Sequence, residues 1–430
     1  MTLTNCIHET GLQEVARSMV AGQLHPAQLE LLELARRYGS TPALNDCAAV
    51  RLTGRLDVDL LRKRVEALAV LGVAQRAKLS QRDGAPVLIE DVAEGAEWRG
   101  FADVEEADGE ADALSRVAQV CAASLDIEQE VLWRAHLISC GQDHHYLVFV
   151  VHRLLTAGGR GARSLLDELL ASYAAPGPSV TSLPAVGAAA GGQSVKSEEQ
   201  RLSHFQKLLS GAPPSLDLPT ESPRPAALTT LAEVAQWSLS PGLWEGVQAQ
   251  SARLAASPYL FLQVCFQVLL HRYGSQDDLV LGCCPDAPLE VGNGSATGYG
   301  TLPLALRSQL EEGTSFRTLM MQTQQQLECA KTYAPLPLAA LCRQLASSLD
   351  ASRFPLFQVT FEHQSTVQRT QQLEGVQVDE VAMRTTHQLC ELVVRFCEGG
   401  QSPQVQVAYC SRLYSAASIQ RLLSHWENLL

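Results

Sequence analysis

Between Asp143 and Tyr173 the chain carries the pattern that most narrows what it can fold into. Tyr146-Leu-Val-Phe-Val-Val151 is an unbroken apolar run of aromatic and branched residues, which predicts a buried strand. A glycine-rich turn follows, and then Leu165, Leu166, Leu169 and Leu170 repeat at helical spacing. His152 therefore stands where a strand ends, a place where a rigid element holds a side chain beside a loop with room for a substrate. On the residues alone, a histidine in that position is more often a packed, hydrogen-bonded core residue than a chemical group.

The chain is long and apolar enough to bury a core. With 430 residues, 46% hydrophobic and 18% charged, it suits one large or two medium globular domains and is not disordered. A formal net charge of -13, with no Lys and Arg cluster interleaved with aromatic residues, argues against nucleic acid as a partner. No apolar run approaches the ~18 residues of a membrane span. The nearest, Tyr259 to Leu270, is interrupted by Gln263 and Gln267. The first residues lack the basic start and apolar centre of a signal peptide, so a cytoplasmic protein without membrane contact is expected. Twelve cysteines occur without a CxxC pair, the only adjacent two being Cys283 and Cys284, so neither a zinc site nor a disulfide framework is expected.

Local signals divide the rest of the chain. Residues 10 to 38 read as one or two helices with Leu29, Leu31, Leu32 and Leu34 on an apolar side. A strand from Cys47 to Leu52 precedes a helix that Asp57 caps and that ends near Leu71, with Gly72 as its stop. Arg82-Asp-Gly-Ala-Pro86 reads as a hairpin turn. From Ala174 to Lys196 the composition turns to Ala, Pro, Gly and Ser, as in a flexible linker. Ser197 and Gln200 stand at capping-box spacing before a helix from Glu198 to Leu209. Ser257-Pro258 opens an apolar helix to Tyr273, and residues 277 to 282 read as a buried strand. Gly292, Gly294, Gly298 and Gly300 fit neither phosphate-loop spacing. His144 and His145 read as a solvated turn rather than metal ligands, because no carboxylate or cysteine cluster completes a site.

Several of these stretches together resemble the condensation domains of nonribosomal peptide synthetases, in the chloramphenicol-acetyltransferase-like superfamily. The segment after the apolar strand, His152-Arg153-Leu-Leu-Thr-Ala157-Gly158, is similar to that family's HHxxxDG motif. His152 matches the first histidine and Gly158 the glycine, while Arg153 replaces the second histidine and Ala157 the aspartate. Ala27-Gln28 resembles the AQ of SxAQxRLW, with Glu30 in place of its arginine, and Arg76 alone matches LRTxF. Leu216-Asp-Leu-Pro-Thr-Glu-Ser-Pro-Arg224-Pro225 resembles LxLPTDxPRP, and Asp350-Ala-Ser352-Arg353-Phe-Pro-Leu-Phe-Gln358-Val359 resembles DxSRxPLFQV nearly in full. Gly298 to Pro303 resembles a shortened IGxFVNTLP, and Pro288 stands where the family's loop ends in arginine. A YxDYAxW motif is not found. The resemblance covers nearly the whole chain.

That resemblance implies an α/β (α+β) fold of two chloramphenicol-acetyltransferase-like lobes in a V-shaped pseudo-dimer, each a mixed sheet with flanking helices. The lobes are expected over residues 1–175 and 198–430, with the linker at 176–197. It also implies no cofactor of the chain's own. Phosphopantetheine arms of peptidyl or acyl carrier proteins bring both substrates, so the partners are carriers and, in one branch with an HR-type motif, a tailoring oxygenase. This sequence lacks that branch's following acidic residue.

Family members join a thioester-bound donor to an amine or hydroxyl, with the second histidine as base or positioning group. Arg153 cannot accept a proton, because a guanidinium stays charged above pH 12 and offers no acceptor atom. Loss of such a group costs on the order of 10² to 10⁴ in rate. Loss of the motif aspartate together with its arginine partner, as Ala157 with Pro288 implies, avoids stranding a buried charge. The first expectation is a condensation-like domain of peptide or hybrid polyketide biosynthesis that makes no bonds and serves as a binding platform. The alternatives are an active acyltransferase forming an amide or ester through His152, and a structural spacer that binds no carrier.

Overall fold

The structure is a computed structural model. It describes residues 22–24, 26–71, 77–82, 85–90, 104–156, 161–174, 196–284, 302–344, 350–365, 371–373, 375–383, 386–398 and 403–430. In chain order the elements begin with β1 (Gly22–Gln23), α1 (Pro26–Tyr38), β2 (Asn45–Gly54), α2 (Val58–Leu71), β3 (Ala77–Arg82) and β4 (Ala85–Glu90). Next come β5 (Glu105–Glu106), α3 (Glu110–Ala122), β6 (Trp133–Ser139), β7 (His144–His152), α4 (Arg153–Thr156) and α5 (Ala162–Ala174). The middle of the chain supplies α6 (Glu198–Leu209), β8 (Ala232–Ser238), α7 (Pro241–Arg253), α8 (Pro258–Gly274), β9 (Asp278–Cys284), β10 (Leu304–Gln309), α9 (Phe316–Thr332) and α10 (Leu338–Gln344). The last elements are β11 (Val359–Ser365), β12 (Gln371–Leu373), β13 (Val376–Glu380), β14 (Leu392–Glu398), β15 (Gln404–Cys410) and α11 (Ala416–Glu427).

Two compact units result. In the first, a six-stranded sheet runs β12-β13-β2-β7-β6-β5, antiparallel except for the β5–β6 pair, beside a small sheet β1-β4-β3. Strand β7 lies inside the large sheet and is buried from His145 to His152. Its alternate side chains enter two cores. Leu147, Phe149 and Val151 pack with Leu61 and Val65 of α2 and Leu166 and Leu169 of α5, while Tyr146, Val148 and Val150 pack with Ala113 and Val117 of α3. Covered on both faces, the strand needs a continuous apolar run rather than an alternating one. Asp57 caps α2 as expected, its carboxylate accepting the Leu60 N–H at 2.9 Å. β3 and β4 form a hairpin around a turn that lies outside the described residues, as does Gly72.

The second unit is built on a six-stranded sheet, β10-β9-β11-β14-β15-β8, whose inner β9, β11 and β14 are parallel. Helix α8 opens with Ser257 as cap and Pro258 at its first turn, and it is buried almost all round, which accounts for its apolar composition. Gly282 lets β9 pass under Phe357, because a Cβ there would lie 2.6 Å from the ring. The capping box of Ser197 and Gln200 forms, with bonds of 3.2 and 3.1 Å.

The lobe boundaries expected from sequence need one correction. Residues 198–430 do not all belong to the second unit, since 371–383 belong to the first. β13 pairs antiparallel with β2 from Val376↔Gly54 to Glu380↔Val50 and buries Val376 and Val378 in the first core. Arg51 binds Asp379 at 3.2 Å, and the Val381 N–H donates to the Ala49 carbonyl at 3.1 Å. Of the linker at 176–197, only Lys196 and Ser197 are described residues.

Candidate functional site

The site grows from the end of β7. His152 pairs with Asn45 at the start of β2, and its backbone N–H donates to the Leu132 carbonyl at 2.8 Å. The chain then turns into the single helical turn of α4. There the Leu154 N–H donates to Nδ1 of His152 at 3.1 Å, and Nε2 of Gln28 on α1 donates to the Leu154 carbonyl at 3.0 Å. Both His152 and Gln28 are buried, at 2% and 1% exposure. Leu154 is thus held through both its N–H and its carbonyl, which shapes the turn out of the strand.

This geometry sets the protonation state of the ring. An amide N–H can only donate, so Nδ1 must present its lone pair and the neutral ring carries its hydrogen on Nε2. Burial, with the Arg153 charge second, lowers the His152 pKa from 6.5 to about 4. The imidazole is therefore a neutral clamp with one N–H to give, and its acceptor nitrogen is already occupied. Arg153, partly buried at the start of α4, contributes a permanent cation beside it.

Reasoning from sequence missed Asp46. It lies on β2 opposite Val151, and its Oδ2 accepts the Ala162 N–H at 2.8 Å, capping α5 from 116 positions earlier in the chain. Gly161 permits that approach, because a Cβ there would fall 2.5 Å from the carboxylate. Burial raises the Asp46 pKa, while the Ala162 amide and the Arg153 charge pull it back. An acidic residue just before the apolar stretch at residues 47–50 was the available signal.

The other motif positions divide. His152, Arg153 and Gln28 come together. Ala157 and Gly158, with Arg76, Pro288 and Gly298 to Gly300, lie outside the described residues. Glu30 is buried on α1. His145 departs from expectation: it belongs to β7 itself, is 6% exposed, and its Nδ1 lies 2.7 Å from Oγ of Ser139. The strand starts earlier than its apolar run because β7 pairs with β2 out to His144↔Thr53. Among the described residues, no group of three or more His, Cys, Asp and Glu could hold a metal ion.

The two most complete motif matches of the second half meet in the second unit. Arg353 donates to the Leu216 carbonyl at 3.0 Å and to Asp217 at 2.8 Å, and Gln358 accepts the Leu216 N–H at 2.7 Å. Arg224 grips the buried Glu391 through two bonds of 2.7 and 3.1 Å, and the Tyr414 hydroxyl donates to the same carboxylate at 3.1 Å. These bonds brace the second unit.

Comparison with known proteins places the chain in a family. The family model for the condensation domain matches residues 22–430. A linear gramicidin synthase of Brevibacillus parabrevis is 27% identical over 419 residues, 94% of this chain and 5% of that protein. Surfactin synthase subunit 2 of Bacillus subtilis (strain 168) is 21% identical over 405 residues, 94% of this chain and 11% of that protein. The chain thus spans a small fraction of these relatives' length. Among solved structures, the X-domain from teicoplanin biosynthesis aligns with a TM-score of 0.78 at 20% identity, covering 95% of this chain and 93% of that one. The complex of the X-domain and OxyB from teicoplanin biosynthesis aligns at 0.75 and 19% identity, over 95% and 92%. The starter condensation domain of rhizomide synthetase aligns at 0.70 and 16%, over 98% and 96%. No single helix among the described residues is long and apolar enough to cross a membrane. With the family model matched over residues 22–430, this chain belongs to the condensation-domain family of nonribosomal peptide biosynthesis.

Proposed function

We propose that this chain is a condensation-family domain that has given up bond formation and serves as a binding platform for carrier proteins or a tailoring enzyme in peptide or hybrid polyketide assembly. One observation carries this reading. The histidine of the motif spends its acceptor nitrogen on the Leu154 amide and is neutral near pH 7, and its neighbour is an arginine. A base must accept a proton near the working pH, and neither side chain can do so in this arrangement. The fold is retained without that centre because the strand, the turn and α5 are held by packing and by the bonds of Gln28 and Asp46. The solved complex of the X-domain with OxyB supports a platform role in kind. On this reading the chain has no cofactor of its own and meets phosphopantetheine-borne intermediates on its carriers.

The test is to mix the chain with donor and acceptor carrier proteins loaded with substrates and follow each species by intact mass. Carrier or enzyme binding without acyl transfer is the expected result. Transfer that disappears in His152→Ala would establish the acyltransferase alternative, and absence of any carrier binding would leave only a spacer.

A further inference from the structure

Beside the motif strand, the start of β2 and the end of α3 form a polar cluster that the platform role does not use. The Asn45 amide donates to the carbonyls of Cys121 at 3.5 Å and Ala123 at 2.9 Å. Arg134 on β6 donates to the carbonyls of Val120 and Ser124 at 3.5 and 3.4 Å. These bonds fix the last turn of α3 against the head of the sheet. Within that fixed frame Sγ of Cys47 donates to the Cys121 carbonyl at 3.9 Å, and the Cys121 side chain is near enough to raise the Cys47 thiol's pKa. Both residues are partly buried and both are free thiols. Two cysteines 74 positions apart in sequence are thereby neighbours on separately anchored elements. Among the described residues no third ligand joins the pair into a metal site.

We propose that Cys47 and Cys121 are a thiol–disulfide modification site, oxidised by low-molecular-weight disulfides of the glutathione class and reopened by thiols. In the first step one cysteine, as thiolate, attacks the small disulfide, forming a mixed disulfide and releasing one small thiolate. In the second, the neighbouring cysteine loses its proton to solvent and attacks the protein sulfur of that mixed disulfide, releasing the other. Two protein thiols are oxidised and one small disulfide is reduced to two thiols. Cys47 is held well above the ordinary thiol value, first by its bond to Cys121 and then by burial, so exchange is slow at neutral pH and quickens as pH rises. The closed pair ties β2 to α3 one residue from Asp46 and two from Asn45, the cross-strand partner of His152. This inference stands independently of whether the domain catalyses.

The folded, full chain would be incubated with oxidised glutathione, quenched by alkylation and mapped by mass spectrometry without reduction. The expected product is a Cys47–Cys121 linked peptide lighter than its two parts by two hydrogens. It should form faster at pH 8.5 than at pH 7 and vanish on reduction. In Cys121→Ser the linked peptide is replaced by a glutathione adduct on Cys47. Closing a loop of this length should raise Tm by roughly 5–15 °C, reversed by dithiothreitol. The peptide map of the unsubstituted chain decides the matter alone. Recovery of both cysteines as alkylated thiols, under conditions that modify the exposed Cys329, overturns the proposal, as do stable glutathione adducts on either or links to another cysteine.

Discussion

If the His152 ring is a neutral clamp, the protein must lose stability in acid by an amount its geometry sets. The folded ring, with its pKa lowered to about 4, resists a proton that the unfolded chain takes up at 6.5. A depressed folded value contributes stability that is fully present above 6.5 and lost as pH falls through the folded value. The whole effect is about 3 kcal/mol below both values, and about 2 kcal/mol of it is lost between pH 7.5 and 5. His152→Asn isolates the contribution, because the asparagine oxygen can stand near the Nδ1 position and accept the Leu154 N–H but does not titrate. Urea denaturation of both proteins at pH 7.5, 6.5, 5.5 and 5 gives the comparison. The smaller side chain leaves a void and lowers stability at every pH, so the slope is the readout rather than the absolute value. The wild type should lose about 2 kcal/mol more than the variant across that range. NMR of the ring should show no titration between pH 5.5 and 8. Parallel profiles, or a ring that titrates near 6.5, would refute the clamp and return His152 to candidacy as a base.

Two further outcomes follow from buried charges. Glu391→Gln strands the Arg224 guanidinium and weakens the Tyr414 bond, and breaking such a buried pair from one side costs about 3–5 kcal/mol. Chemical denaturation of the second unit's transition measures the cost, and a loss under about 1 kcal/mol would contradict this account. Asp46→Asn should behave in the opposite sense to the His152 substitution. A raised folded value means that Asp46 contributes stability below 3.8 that is lost as pH rises through the folded value. The variant therefore gains on the wild type in melts as pH is taken from 4 to 7.5. A wild type that instead gains on the variant as pH rises from 4 to 7.5 would show a carboxylate stabilised, not penalised, by its surroundings.

Local patterns carried much of the architecture. The apolar run before His152, the Asp57 cap, the Ser197–Gln200 capping box and the Ser257-Pro258 helix start all stand where residue spacing placed them. Such signals are legible because caps and periodicity involve residues within one or two turns of each other. Family resemblance added Gln28, Arg224 and Arg353, whose roles no local pattern declares.

Pairings over long distances had no such signature. Residues 371–383 read as part of the second lobe, yet β13 completes the first unit's sheet, because an edge of β2 was open to it and Val376 and Val378 fitted that core. His145 read as solvated, but β2 and β7 keep pairing past it and bury the ring. The sequence by itself determined that a histidine ends a buried strand and an arginine follows it. Only the tertiary structure decided that the ring's lone pair faces the Leu154 amide, that Asp46 caps a helix begun 116 residues later, and that Cys47 meets Cys121. The direction of a lone pair and the neighbour of a buried charge depend on chain closure across a hundred residues, which no window along the chain contains.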